Sequence, residues 1–374
     1  ICSATDFYKR TDAGGETSQW KYQKKFFRYC IARWGHSRAV VGWLSVIEVE
    51  GTDGWVNNRT QLESWCAAVR SEFAGQDVYR TSAGKVPLAA TRSDDSDAND
   101  STWDPGHDMR AISSYRDKTS NTNIAQRLAT HTQNFWAAGE PGHINEYGAV
   151  SPATQPTHLH NGAWAAAGAG ASFCPLVWCD GGTFPLLTDP TYGSPMRDHL
   201  QWFSQFAKRV SYWGDSNLAA ASLTLSGTCR GWGMRLSDRG YVWVQNTSGT
   251  IGGQSLQVGG ITPGTYSVAW YDAWAGGTTA FQVTQSISVG GGGVLGTTLP
   301  TLAHGDIACK FAPGDGRPVA NNASGTTRQN VPLVVHLSAT DPFEMPLTLQ
   351  VTSGPAHGNL SLDGFDATYT PVPG

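Results

Sequence analysis

Two glutamates carry the strongest chemical signal in this sequence. Glu48 follows the apolar run WLSVI, and Glu146 follows HIN and precedes Tyr147 and Gly148. Two strand-end carboxylates that face one another across a cleft are what cleavage of a glycosidic bond requires. One donates a proton to the leaving oxygen and the other attacks the anomeric carbon, and a carboxyl separation of about 5 Å gives retention of configuration. Glu50, two residues past Glu48 and on the same face of the expected strand, is a possible substitute for it. Read blandly, all three are solvated acids at strand ends.

Other chemical signals are thinner. The run DDSDANDSTWD over residues 94–104 has a D-x-D-x-N pattern, but it lacks the Gly and the bidentate Glu of a calcium loop. His158-x-His160 has metal-ligand spacing but sits in a segment that enters a helix. Ser82-x-x-Lys85 matches a catalytic motif without its partner motifs. The seven cysteines (Cys2, Cys30, Cys66, Cys174, Cys179, Cys229 and Cys309) form no C-x-x-C pair, so neither zinc nor redox chemistry is indicated. Buried thiols are the plain reading, with one or two disulfides left open. No cofactor is expected.

The elements that must position these residues fall into two textures, divided near residue 215. Before it, helical and apolar extended runs alternate. Helices are expected at 20–34 (WKYQKKFFRYCIARW, stopped by Gly35), 60–73, 121–138, 160–170 and 195–212. Strands are expected at 40–50, 86–91, 109–115, 143–147 and 173–178. A β-α order repeated in this way implies parallel strands joined by crossover helices. In a parallel α/β barrel the chemistry sits at the carboxyl ends of the strands. Five strands are three short of a closed barrel. The chain starts at Ile1, without an initiator Met or a signal peptide, and ends at Gly374 within a Thr/Pro-rich pattern. The expectation is therefore a piece of a longer protein with three β-α units upstream, and no turnover by these residues alone.

After residue 215 the texture is all β, with strands expected at 241–244, 255–258, 265–271, 281–284 and 286–289 between Gly-rich turns. The expected domains are a partial (β/α)8 barrel over 1–214, an antiparallel sandwich over 215–313, and a second, shortened sandwich over 317–374.

Composition narrows the partners. The net charge is −4, from 26 basic and 30 acidic residues, and no basic stretch is dense enough to follow a phosphate backbone. Nucleic acid is therefore not an expected partner. No apolar run approaches the roughly 18 residues of a membrane span. The 15 Trp beside 4 Met tilt the reading toward flat, ring-faced ligands such as sugars.

The stretch RYCIARWGHSRAVVGWLSVIEVEGTDGW over residues 28–55 resembles a bacterial branch of glycoside hydrolase family 5 and related clan A enzymes. INEYG at 144–148 is similar to that family's strand-seven motif, and HLHNGAWAAAGAGASFCPLVWCD at 158–180 to its segment leading into strand eight. The likeness covers about residues 20–212. It implies that Glu48 is the general acid/base, Glu146 the nucleophile and Trp178 the aromatic platform under the sugar. His160 joins the substrate-binding candidates. The trailing segments resemble the β-domain and the cadherin- or immunoglobulin-like repeats of large secreted bacterial proteins.

In working form Glu48 needs a raised pKa, from partial burial and a nearby negative Glu146, and Tyr115 would hold Glu146 through a hydrogen bond. Trp55 and Trp103 are candidates for outer subsites. Ile47, Leu44 and Ser113 stand where the family has Asn, Glu and His. The expectation is a secreted or cell-surface retaining glycosidase acting on mannan or a β-glucan. Two rivals stay open: a non-catalytic carbohydrate-binding or adhesion protein on the same scaffold, and a purely structural surface protein.

Overall fold

The computed structural model describes residues 6–37, 40, 42–76, 88–93, 106–115, 121–139, 141–149, 155–172, 174–175, 177–179, 189–275 and 281–372. The chain divides into two compact units, residues 1–200 and 201–374.

The first unit opens with a short hairpin, β1 (Thr11–Asp12) and β2 (Gly15–Glu16), and then helix α1 (Ser18–Trp34). Thr17 caps α1 by accepting the Trp20 N–H, and the Gly35 N–H closes the far end on the Ile31 carbonyl. The periodicity buries Trp20, Phe27 and Ile31 on one face. Trp20 and Phe27 meet helix α3 (Arg59–Gln76), where Leu62, Trp65, Cys66 and Val69 are at most 1% exposed. Trp65 anchors this contact, packing edge-on against Tyr8 and donating its indole N–H to Gln23 at 2.7 Å. A large aromatic surface is buried there without stranding its polar atom.

Five parallel strand positions follow one another in chain order. The first is β3 (Trp43–Leu44), paired with β4 (Leu88–Ala89). The pairing continues past both strands, since the Thr91 N–H donates to the Val46 carbonyl at 3.0 Å. β5 (Thr91–Ser93) then pairs with β6 (Arg110–Ser114), β6 with β7 (Gly142–Ala149), and β7 with β8 (Val177–Cys179). Helices α3, α4 (Asn121–Ala137) and α5 (Gln155–Gly168) connect strands of this series, and α6 (Gly193–Ala207) follows β8. Ile112, Ile144, Tyr147 and Val177 pack against Ile124, Leu128, Leu159 and Met196 of those helices. On the opposite face of the strands, Leu44, Ala89, Met109 and Ala111 form a smaller cluster. The unit is a mixed α/β structure with strands buried on both faces, and no closed barrel is present among the described residues.

Two expectations change here. The run at 40–50 is not one long strand. Extended pairing ends at Val46, and Val49–Gly51 turn into a 3-10 helix that leads into α2 (Asp53–Asn57), capped by the Thr52 hydroxyl. Glu48 and Glu50 therefore share no strand face. The strand around Glu146 does not end on the acid either, because Tyr147, Gly148 and Ala149 continue the ladder to β8.

The second unit is built on antiparallel sheets. β9 (Ala219–Ala220), β11 (Cys229–Arg235), β12 (Gly240–Asn246), β14 (Gly264–Tyr271), β15 (Gln282–Val289) and β17 (Asp306–Pro313) form one sheet in the order β15-β14-β17-β12-β11-β9. β10 (Ser222–Leu225), β13 (Ser255–Gly259) and β16 (Val294–Thr298) form a second. Val242, Leu256, Trp270, Leu295 and Phe311 close one core between the two sheets. The runs at 281–284 and 286–289 are a single strand, with a register shift opposite Tyr266 and Val268 and a left-handed Ser286. β18 (Val319–Ala320) pairs with β20 (Ala339–Thr340), and β19 (Leu333–His336), β21 (Gly358–Asp363) and β22 (Asp366–Pro371) make a three-stranded sheet.

Among the described residues Cys30, Cys66, Cys174, Cys229 and Cys309 are free thiols. Burial pushes the Cys66 and Cys309 thiols up to about 12, so both stay protonated.

Candidate active site

Parallel strands align their carboxyl ends, and the two glutamates follow that alignment. Glu48 lies just past the first strand of the series, and Glu146 lies in the later half of the fourth. Glu48 is half-buried, and its backbone is left-handed, with φ 50° and ψ 61°. A side chain with a Cβ adopts this region only at a cost. The turn is held by the Glu48 N–H, which donates to the hydroxyl of fully buried Thr91 at 3.0 Å.

Glu146 is fixed by a bulge. Ile112 of β6 pairs with Ile144, but the next residue, Ser113, pairs with Glu146, so Asn145 is an extra residue in β7. Ile144 and Tyr147 both pack into the helix-side core although they are three residues apart, which simple alternation forbids. The bulge absorbs the difference and turns Asn145 and Glu146 to the other face, as bulges re-aim side chains elsewhere. Tyr147 locks the helix side. Its ring fills the space left by Gly162 of α5, where a Cβ would come within 2.6 Å of the ring, and its hydroxyl donates to the Leu159 carbonyl at 3.3 Å.

The Glu146 carboxylate takes a hydrogen bond on each oxygen. Tyr115, 6% exposed just past β6, donates to Oε2 at 2.7 Å, and Asn145 donates to Oε1 at 3.4 Å. Below them, His143 pairs with Ala111, and burial holds its imidazole down at about 4, so it is neutral near pH 7. Ser113 is fully buried opposite Glu146, and among the described residues its hydroxyl has no hydrogen-bond partner. A carboxylate oriented on both oxygens by neutral donors is suited to attack as a nucleophile.

The other expected site residues are placed unevenly. Trp55 lies in α2 with the Arg59 guanidinium 4.0 Å over its ring, so one stacking face is already taken. His160 is 1% exposed in α5, and its Nδ1 lies 3.1 Å from Nδ1 of His199 on α6. Burial, with His160 adding to it, pushes the His199 imidazole down to about 3. In this placement His160 packs between α5 and α6. Trp178 lies in β8 opposite Gly148, and its side chain is outside the described residues, as are Trp103, the 94–104 acidic run and the Ser82–Lys85 pair. Among the described residues no three His, Cys, Asp or Glu side chains gather as a metal ion would need, and no helix is long and apolar enough to cross a membrane.

Sequence reasoning missed Asn145 and Thr91. The first left a trace, because apolar residues at 144 and 147 break the alternation of a regular strand. Thr91 left none.

These features define a parallel α/β unit with glutamates at the carboxyl side of its strands. No protein-family profile and no curated protein matches the chain. Among solved structures the chain is similar to a protein described as a glycoside hydrolase, at 12% identity over 78% of this chain and 69% of that one, with a TM-score of 0.49. It is also similar to a family 30 xylanase from Clostridium acetobutylicum, at 11% identity over 80% and 73% (TM-score 0.45). A third similar structure is a family 30 endoxylanase from Clostridium papyrosolvens, at 11% over 81% and 75% (TM-score 0.42).

Proposed function

We propose that this protein is a retaining glycoside hydrolase acting on a β-linked polysaccharide such as mannan or a β-glucan, outside the cell where such polymers occur. In this reading the five parallel strands are an arc of a (β/α)8 barrel. Glu146 attacks the anomeric carbon, and Glu48 protonates the departing oxygen and then activates the water that releases the sugar. The observation that carries the reading is the Tyr115–Glu146 hydrogen bond at the carboxyl side of the sheet, which orients one carboxylate oxygen.

The test is hydrolysis of 4-nitrophenyl β-cellobioside and β-mannobioside by the full-length protein, with the product anomer followed by NMR. Retention in the parent and loss of turnover in Glu146→Gln support the reading, and an active Glu146→Gln variant overturns it.

A non-catalytic carbohydrate-binding protein is the second reading. It is favoured by Ile47, an apolar side chain 49% exposed beside Glu48 that offers a sugar no hydrogen bond. Unchanged oligosaccharide affinity with no turnover in the parent would select it.

A further inference from the structure

We propose that Asn145 contacts the substrate directly and grips the hydroxyl on the carbon next to the reacting one. The proposal rests on the glycosidase reading of Glu146.

The bulge in β7 has a cost, since the extra residue interrupts the ladder and leaves its backbone without a cross-strand partner. What it produces is a pair of adjacent polar side chains on one face. A regular strand would send Asn145 and Glu146 to opposite faces. Asn145 is 9% exposed. Its amide N–H reaches Glu146 Oε1 only at 3.4 Å, a long hydrogen bond that is easily exchanged for a better one. That bond uses one of the two amide N–H groups, so the amide has a second donor and a carbonyl acceptor with which to meet a hydroxyl.

Chemistry selects which hydroxyl. When Glu146 bonds to the anomeric carbon, the group one bond further along the ring is the 2-hydroxyl. Hydrogen bonds to that hydroxyl strengthen as the ring takes on oxocarbenium character. Tyr115 already holds Oε2, so Asn145 lies beside the other carboxylate oxygen, where the neighbouring ring substituent must pass. An Asn amide can serve an equatorial or an axial 2-hydroxyl, but not both with the same geometry. Asn145 therefore contributes to the choice between gluco- and manno-configured chains.

The experiment compares two substrates that differ only at this hydroxyl: 4-nitrophenyl β-cellobioside (or the β-mannobioside, whichever the full-length protein cleaves) and its 2-deoxy analogue. Asn145→Ala is expected to lower kcat/KM on the hydroxylated substrate by on the order of 10²-fold, mainly through kcat, and on the 2-deoxy analogue by less than about threefold. Asn145→Ser, which keeps a small hydrogen-bonding group, is expected to recover part of the loss and serves as the test if the Ala variant fails to fold. Equal losses on both substrates would overturn the proposal and leave Asn145 a residue that only shapes the bulge. A parent that cleaves neither substrate would overturn the glycosidase reading itself.

Discussion

Tyr115 reaches across 31 residues of sequence to place its hydroxyl 2.7 Å from Glu146 Oε2. The bond joins the end of one strand to the middle of the next, so it ties carboxylate geometry to sheet register. A hydrogen bond to a charged group contributes about 1.5–3 kcal/mol. Tyr115→Phe is expected to lower kcat by roughly 10- to 100-fold with little change in KM, in steady-state kinetics on an aryl glycoside. An unchanged kcat would show that Glu146 needs no such support.

Thr91 supports the other glutamate through the backbone. Thr91→Val keeps the shape but removes the acceptor for the Glu48 N–H. Leaving that donor unpaired is expected to cost about 1–3 kcal/mol in urea unfolding. Turnover is expected to fall as well, because the turn carrying the acid loosens.

The left-handed backbone of Glu48 separates conformation from chemistry. Glu48→Ala and Glu48→Gly both remove the carboxylate and are expected to be equally inactive. The Gly variant should nevertheless be the more stable of the two by about 1 kcal/mol, since only it adopts φ 50° without a Cβ penalty. Differential scanning calorimetry of the pair reads this directly.

Lys310 is 3% exposed in β17. Its ammonium group donates to the Arg209 carbonyl and lies 4.9 Å over the Phe206 ring. Burial pushes the amine from its ordinary 10.5 down to about 7, Arg209 adds to this, and Glu344 and Asp341 oppose it. Below pH 7 both folded and unfolded chains carry the proton, and the full cost of burying it is present. Between about 7 and 10.5 the unfolded chain holds a proton that the folded one has released, so stability rises with pH. Lys310→Met is expected to flatten that rise and to be more stable than the parent at pH 6 by on the order of 1–3 kcal/mol, measured by urea unfolding at pH 6, 7.5 and 9.

Much of the first unit was legible because its helices are amphipathic and its strands short and apolar. Leu62, Trp65, Cys66 and Val69 share a face in the sequence pattern and one core in the structure. The stretch around Glu48 was not legible, because Val46 and Ile47 read as strand while a hydrogen bond donated to a residue 43 positions away shapes the turn that follows. The bulge at Asn145 was only half visible, since the apolar pair at 144 and 147 signals a break in alternation without saying which residue is extra. One extra residue leaves the composition untouched and is defined only against the partner strand. In the second unit, CRGWGMR and DIACKFAP were missed as strands. Glycines weaken the first pattern, and the second carries Lys310 at a position covered by Phe206 and Tyr271.

The position of β17 sets a timetable for the second unit. It is the last strand of the larger sandwich sheet to be synthesised, yet it lies between β14 and β12, and its pairing with β12 joins Gly240 to Phe311. Contacts between such distant residues form slowly, because a long loop must close before any bond rewards it. Until β17 pairs, no backbone ladder joins β14 to β12 in this sheet. The core that Trp270 of β14 and Val242 of β12 share is completed by Phe311 of that joining strand.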